Sequence, residues 1–149
     1  MALSTTHDPA WRSHAVATLE REGFRAGAAR TRVVDALARR HCCATAQEIA
    51  DDLRSEDSRV GIASVYRALE LLLRLGLVRR LEVGDGTARY EAALPSGRHH
   101  HHVVCGSCGR VAQFSDEPLE QAIGHLSARL DFTIEAHDVV LRGTCPACR

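Results

Sequence analysis

His99-His-His-His-Val-Val-Cys-Gly-Ser-Cys-Gly109 sets four histidines two residues ahead of a Cys-x-x-Cys, Cys105 and Cys108. A second Cys-x-x-Cys, Cys145 and Cys148, lies at the end of the sequence. Each pair can grip a metal as one bite, and two bites complete a tetrahedron, so the four thiolates read as a closed, structural zinc site. The bland alternative is a pair of redox dithiols or disulfides. The histidines ask for something else. On an extended strand, successive side chains point to opposite faces. His100 and His102 then share one face and His99 and His101 the other, and each face can hold an ion. A surface tract arising from composition alone is the competing reading. Two further ions exceed what a small fold needs for stability, which points to sensing.

Working outward, the stretch closes a Pro95–Gly97 break. Before that break, Asp8 and Pro9 signal a helix start, and Gly23 marks the end of a helix reaching about Glu22. Val33, Val34 and Leu37 repeat at helical spacing between Ala29 and about Arg40. Thr45 and Glu48 form a capping-box pattern ahead of Ile49 and Leu53. Ile62, Val65, Leu69, Leu72 and Leu73 make one stripe of a helix ending near Gly76. Leu77–Val83 and Thr87–Glu91 alternate around Gly84-Asp85-Gly86, a hairpin signal. Three helices, a fourth periodic one and a two-stranded wing make a winged helix-turn-helix over residues 1–94, with a hinge at 95–97. Residues 98–149 then read as strand (His99–Cys105), strand (Val111–Phe114), helix (about Glu117–Leu130, striped by Leu119, Ile123, Leu126 and Leu130) and strand (Phe132 to about Arg142). The fold class is α+β.

Composition excludes less than the motifs do. The net charge is zero, with +2 over residues 1–90 and −2 over 91–149, so there is no overall basic character. All 19 cationic side chains are arginine, whose planar fork suits phosphate and guanine, although genome composition accounts for such a bias equally well. No apolar run is long enough for a membrane span and the N-terminus lacks a signal-peptide core, so a cytoplasmic location is expected. In a reducing compartment, paired Cys-x-x-Cys reads as metal before disulfide.

Further metal ligands must come from elsewhere in the chain. The polar metal-binders in unusual positions are His137 in the last strand, Glu120 near the start of the second-region helix, Glu91 at the wing's end and Cys43 before the capping box. Each taken singly reads as a solvated side chain or, for Cys43, a small buried one. In the first region, Ser64, Tyr66, Arg67 and Arg74 occupy the exposed face of the 62–75 helix. Its N-terminal part is where a recognition helix meets base edges. Arg25, Arg30 and Arg32 lie on the flanking element, where backbone contacts belong. A solvated face or a protein-interaction module is the alternative.

Taken together, Gly61-Ile-Ala-Ser-Val-Tyr-Arg-Ala-Leu69, the histidine–cysteine stretch 99–109 and Gly143-Thr-Cys-Pro-Ala-Cys148 resemble the ferric uptake regulator family of metal-responsive bacterial repressors, from about Gly23 to Cys148. The resemblance implies a homodimer with an N-terminal winged helix, a C-terminal α/β dimerisation domain, and a palindromic double-stranded DNA operator. It assigns Cys105, Cys108, Cys145 and Cys148 to structural zinc. His99, His101, Glu120 and His137 match a second site within the dimerisation domain. Glu91, His100 and His102 match the regulatory site linking the domains. There, Cys43 stands where many members have a histidine. Tyr66 matches a base-contacting tyrosine and Arg25 a minor-groove residue, with Arg30, Ser64 and Arg67 beside them. Gln113 stands where many members have a carboxylate. These two exchanges soften the regulatory site and favour zinc over ferrous iron as corepressor, while Ala93 and Arg79 replace ligands of the family's actinobacterial zinc-uptake regulators. Cys42, His41 and His125 carry no role in this reading.

Metal shared between domains would set the spacing of two recognition helices in a dimer, as a corepressor does. The rivals are a peroxide-responsive member of the family, weakened by the same softening, and a zinc-dependent enzyme. An enzyme would need an open coordination position and a nearby general base.

Overall fold

A computed structural model describes residues 9–25, 27–56, 58–96 and 99–149. The Asp8 helix cap and Gly97 of the expected hinge lie outside these residues. The chain divides into two compact units, one ending at residue 98 and the other running from 99 to 149.

In the first unit, helix α1 spans Pro9–Arg21 and α2 spans Ala28–Arg39. The first helix closes where Gly23 takes φ +78°, with the amide of Phe24 donating to Leu19 O at 2.9 Å. This cap needs a left-handed residue, and glycine adopts that conformation without a Cβ penalty. Strand β1 (Ala44–Thr45) leads directly into α3 (Ala46–Ser55). Thr45 Oγ1 accepts from Glu48 N, and Thr45 N donates to the Glu48 carboxylate, so the expected capping box is formed in both directions. Helix α4 spans Ile62–Arg74 and ends at Gly76, where φ is +66°.

The wing strands β2 (Val78–Glu82) and β3 (Ala88–Ala92) pair antiparallel, Val78 opposite Ala92 and Glu82 opposite Ala88. Asp85 organises the turn, accepting from Thr87 N at 3.0 Å and pairing with Arg89 at 2.8 Å. The short β1, which the sequence pattern did not indicate, adds to the outer edge of β3, giving the order β1-β3-β2. One apolar core holds the unit together. Trp11, Leu19, Val33, Val34, Ile49, Leu53, Val65, Leu69, Leu72 and Leu77 are all essentially inaccessible to solvent. The Trp11 indole N–H donates to Leu77 O at 2.9 Å, tying α1 to the foot of the wing.

The second unit contains β4 (His101–Cys105), β5 (Val111–Phe114), α5 (Glu117–Leu130), β6 (Val140–Gly143) and a 3-10 turn at Pro146–Cys148. Strand β4 is central, antiparallel to β5 and parallel to β6. Two expectations need correction. The first strand begins at His101 rather than His99. The last begins at Val140 rather than Phe132, so His137 lies outside any strand. Alternation at Phe132, Ile134 and Ala136 describes sidedness, but a strand also needs a ladder partner, and within the described residues the β4–β6 ladder starts at His102–Val140.

Helix α5 is capped by Asp116, whose side chain accepts from Leu119 N at 2.9 Å. It contributes no buried residue, and Leu126, Leu130, Phe132 and Leu141 are exposed.

Candidate metal centres and nucleic-acid interface

The cysteine centre is built where β4 and β6 run parallel. Cys105 ends β4 opposite Gly143, and Gly106 N donates to Gly143 O at 2.9 Å. The chain then turns back, Gly109 at φ +73° donating its amide to Cys105 O at 2.9 Å, so that Cys108 lies in the turn just after the strand end. Beyond β6, Pro146 opens the 3-10 turn that carries Cys148. All four sulfurs lie within 4.8 Å of one another, and Cys108 Sγ and Cys145 Sγ are 3.8 Å apart. A tetrahedral zinc with Zn–S bonds of about 2.3 Å holds adjacent sulfurs about 3.8 Å apart, so the donor set fits that ion.

The electrostatics agree with this fit. The backbone N–H of Cys145 donates to Cys105 Sγ at 3.3 Å. That amide, followed by those of Cys108 and Ser107, brings the Cys105 thiol down to about 5. Hydrogen bonding to Cys145 and Cys108 pushes Cys148 up to about 12. Four crowded thiols cannot all ionise unless a cation neutralises them.

The second cluster gathers around Glu120 in the first turn of α5. His101 Nε2 lies 2.6 Å from Glu120 Oε1, His137 Nε2 lies 3.1 Å from Oε2, and His99 Nε2 lies 3.4 Å from Oε1. His99 and His137 meet at 3.1 Å between their Nε2 atoms. Two imidazole nitrogens that close can share one N–H hydrogen bond or one cation. The Glu120 carboxylate is held below its usual range, chiefly by the His101 hydrogen bond and then by His137. The four potential donor atoms all fall within 4.8 Å of one another. His101 is 1% exposed, and its Nδ1 has no hydrogen-bond partner among the described residues.

His100 and His102 sit together on the other side, ring centroids 5.0 Å apart, while His99 and His101 pair at 5.2 Å. The alternation expected of an extended chain therefore holds across the whole run, although only its second half belongs to the ladder. Glu91 and Cys43 belong to the first unit. Cys43 immediately precedes β1 and Glu91 follows Tyr90, the β3 partner of Ala44, near enough for the Glu91 charge to act on the Cys43 thiol. Burial and the neighbouring Cys42 and Glu91 raise the Cys43 thiol's pKa, the Cys42 hydrogen bond being the largest cause. Cys42, which the sequence reading left without a role, places its Sγ 3.8 Å from that of Cys43. Adjacent loop residues carry no periodic signal, so spacing could not have revealed this.

The candidate nucleic-acid face lies on α4 and the start of α2. Val65, Ala68, Leu69, Leu71 and Leu72 anchor α4 in the core, leaving Tyr66 48% exposed and Arg67 exposed beside it. Arg67 donates to Ser64 Oγ at 3.0 Å. Arg30 donates to the Arg25 carbonyl at 2.9 Å and lies over the Phe24 ring. Arg30, Ser64, Arg67 and Arg74 line one cleft of about 430 Å³. Two bonded partners thus preset the side chains of Arg30 and Arg67 at one basic groove. Arg25 takes part through its carbonyl, and Tyr66 stands outside the cleft lining.

Comparison with known proteins gives one consistent result. The sequence model described as Ferric uptake regulator family matches residues 21–142. The ferric uptake regulation protein of Bordetella parapertussis is 31% identical over 134 residues, covering 88% of this chain and 94% of that protein. The corresponding protein of Legionella pneumophila is 36% identical over 105 residues, 70% of this chain and 76% of its own. Among solved structures, the Helicobacter pylori ferric uptake regulator, described as having three functional metal-binding sites, superposes with TM-score 0.80 at 26% identity, covering 99% of this chain and 97% of that one.

Proposed function

Because the chain belongs to the ferric uptake regulator family, we propose that it is a metal-dependent DNA-binding transcriptional repressor of metal-homeostasis genes, with zinc or ferrous iron as corepressor. The observation that carries this reading is the histidine run split between two faces, His99 with His101 and His100 with His102. One segment thereby offers imidazoles to two separate ions. The cysteine centre, Cys105, Cys108, Cys145 and Cys148, holds structural zinc, for which its sulfur geometry is suited.

His99, His101, Glu120 and His137 form a second site within the same unit. Four donors fill a tetrahedron and leave neither an open position nor a free carboxylate base, which argues for binding rather than hydrolysis. The regulatory ion is held by Cys43, Glu91, His100 and His102. Its support is the proximity of Glu91 to Cys43 in one unit and the paired rings of His100 and His102 in the other. An ion drawing on residues 1–94 and on 98–149 restricts the hinge at 95–97 and selects one arrangement of the two domains.

The working form is a cytoplasmic homodimer. The uncovered apolar side chains Leu126, Leu130, Phe132 and Leu141 supply a surface for a second copy, and no helix among the described residues is long and apolar enough to cross a membrane. A two-fold dimer reads a palindromic operator with half-sites about one helical turn apart. Arg25, Arg30, Ser64, Tyr66 and Arg67 make the DNA contacts, supported by the basic groove at Arg30 and Arg67.

The test uses duplexes selected from a random pool with metal-loaded protein, and compares DNA affinity with and without buffered zinc at one fixed salt concentration. His100→Ala and His102→Ala are expected to lose most of the metal-dependent gain, about tenfold or more, within the usual range of coupling energies. Native mass should still show a dimer. Full metal dependence in both variants would overturn the reading.

A further inference from the structure

We propose that Cys42 and Cys43 act together as a dithiolate bite for a soft, filled-shell cation such as zinc, so that the regulatory site holds two sulfur ligands rather than one. The inference rests on the regulatory-site reading for the remaining ligands, but the pair itself stands on its own geometry. The two sulfurs are 3.8 Å apart, the same separation as Cys108 and Cys145 in the four-cysteine centre. It is also the spacing that a tetrahedral zinc imposes on adjacent thiolates, about 3.8 Å. Neither cysteine is in a disulfide. Neighbouring Cα atoms are about 3.8 Å apart across a trans peptide, shorter than the separation a disulfide prefers. Shared capture of a cation therefore suits this pair better than a bond between them.

The segment carrying the pair is fastened at both ends. On one side the Arg40 side chain donates to Asp52 at 2.8 Å and to Glu48 O at 3.2 Å. On the other, the Thr45–Glu48 capping box fixes the start of α3. Holding the sulfurs in place before the ion arrives lowers the ordering cost of binding. Cys42 is only partly buried, which leaves an approach for the ion, and Glu91, next to the Tyr90 that pairs with Ala44, lies near enough for its charge to act on the Cys43 thiol and is an oxygen donor of the same unit. The binding step balances simply. Each thiol releases its proton to solvent, two Zn–S bonds form, and no electrons move. Two thiolates favour zinc or cuprous ion over ferrous or manganous ion, which prefer harder donors.

Cobalt(II) reports the sulfur count, because thiolate-to-cobalt charge transfer gives a near-ultraviolet band that grows with each bound thiolate. Full-length reduced protein is first given zinc to fill the four-cysteine centre and is then titrated with cobalt. The expected band corresponds to two thiolates, falls by about half in Cys42→Ser and in Cys43→Ser, and vanishes in the double variant. Zinc affinity in competition should fall at least about tenfold in Cys42→Ser, since losing even a supporting group at a metal site costs that much. Unchanged melting of Cys42→Ala confirms that folding is intact.

An undiminished band and unchanged zinc affinity in Cys42→Ser overturn the proposal. If His102→Ala meanwhile loses its metal-dependent DNA binding, the regulatory site stands with a single sulfur. If the two-thiolate band persists but His102→Ala keeps its DNA response, the dithiolate stands and the regulatory assignment falls.

Discussion

The two units solve the same problem, staying folded, by different means. Residues 11–90 hold a continuous apolar core in which Trp11, Ile49, Leu53, Leu69 and Leu72 are shut away from water. The unit at 99–149 buries only His101, His102, Val104, Cys105, Gln113 and Phe114 among its described residues, and half of these are polar. Leu126, Leu130, Phe132 and Leu141, on and after α5, face outward. A sheet of three short strands with so little buried carbon cannot offset its ordering entropy through hydrophobic burial alone. Metal–ligand bonds and a second copy of the chain are the available substitutes. One part of the molecule has the apolar composition to be stable by itself, whereas the other has little buried carbon but carries donor clusters for metal and an uncovered apolar surface.

The most severe way to break the contrast is to remove the cysteine-bound ion. Structural zinc contributes apparent free energies on the order of 10 kcal/mol at neutral pH. Cys105→Ser, Cys148→Ser or a strong chelator should therefore unfold the second unit and abolish the dimer. The first unit should keep its own melting transition. Native mass and a two-transition calorimetric scan check both points, and a normal dimer with unaltered melting would contradict the assignment.

The pH response has a defined sign. Cys105 is depressed from an ordinary 9.0 to about 5, so what its thiolate contributes is present in full above the ordinary value and is lost as pH falls through about 5. Cys148, pushed up to about 12, still carries its proton at neutral pH. Zinc uptake must release that proton, and affinity should rise with pH across this interval.

The converse test opens a cavity where metal has no influence. Leu69 is fully buried on α4. Leu69→Ala should cost about 2–5 kcal/mol, lowering the first transition and leaving the chelator-sensitive one unmoved. A shift of the zinc-dependent transition by a similar amount would show that the two units do not fold independently.

What could be read from sequence follows the same division. Short-range chemistry was legible: the Thr45–Glu48 box, the Gly84-Asp85-Gly86 turn and the helix stops at Gly23 and Gly76 depend on neighbours within a few residues. The ligand types of both second-unit clusters were legible for a related reason, since strand alternation sorts the histidines by face. Partner-dependent features were not. Two-residue β1 is too short to show a period, and it forms because β3 offers an edge at Tyr90 and Arg89. Segment 132–139 alternates like a strand yet has no assigned ladder in the described chain. Cys42 stayed unread because the meeting of adjacent loop thiols depends on how Arg40 reaches Asp52 and Glu48 to fasten the segment, a contact with no spacing signature.

The smallest effect sharpens the comparison most finely. Thr45→Ala removes the hydroxyl that accepts from Glu48 N at 3.1 Å, leaving that amide to water at an accessible helix end. Losing such a cap costs about 1 kcal/mol, which for a domain of this size lowers the melting temperature by about 4–8 °C. Thr45→Ser should restore it. Only the first transition should move, because the cap, Thr45 with Glu48, lies wholly within the first unit. Thr45 also anchors the segment bearing Cys42 and Cys43, so the same variant measures whether that segment is held in place before metal arrives. Zinc affinity at the regulatory site should drop along with the cap and return in Thr45→Ser. Were stability to fall while metal affinity stayed constant, the two sulfurs would owe their 3.8 Å separation to the Arg40 contacts alone.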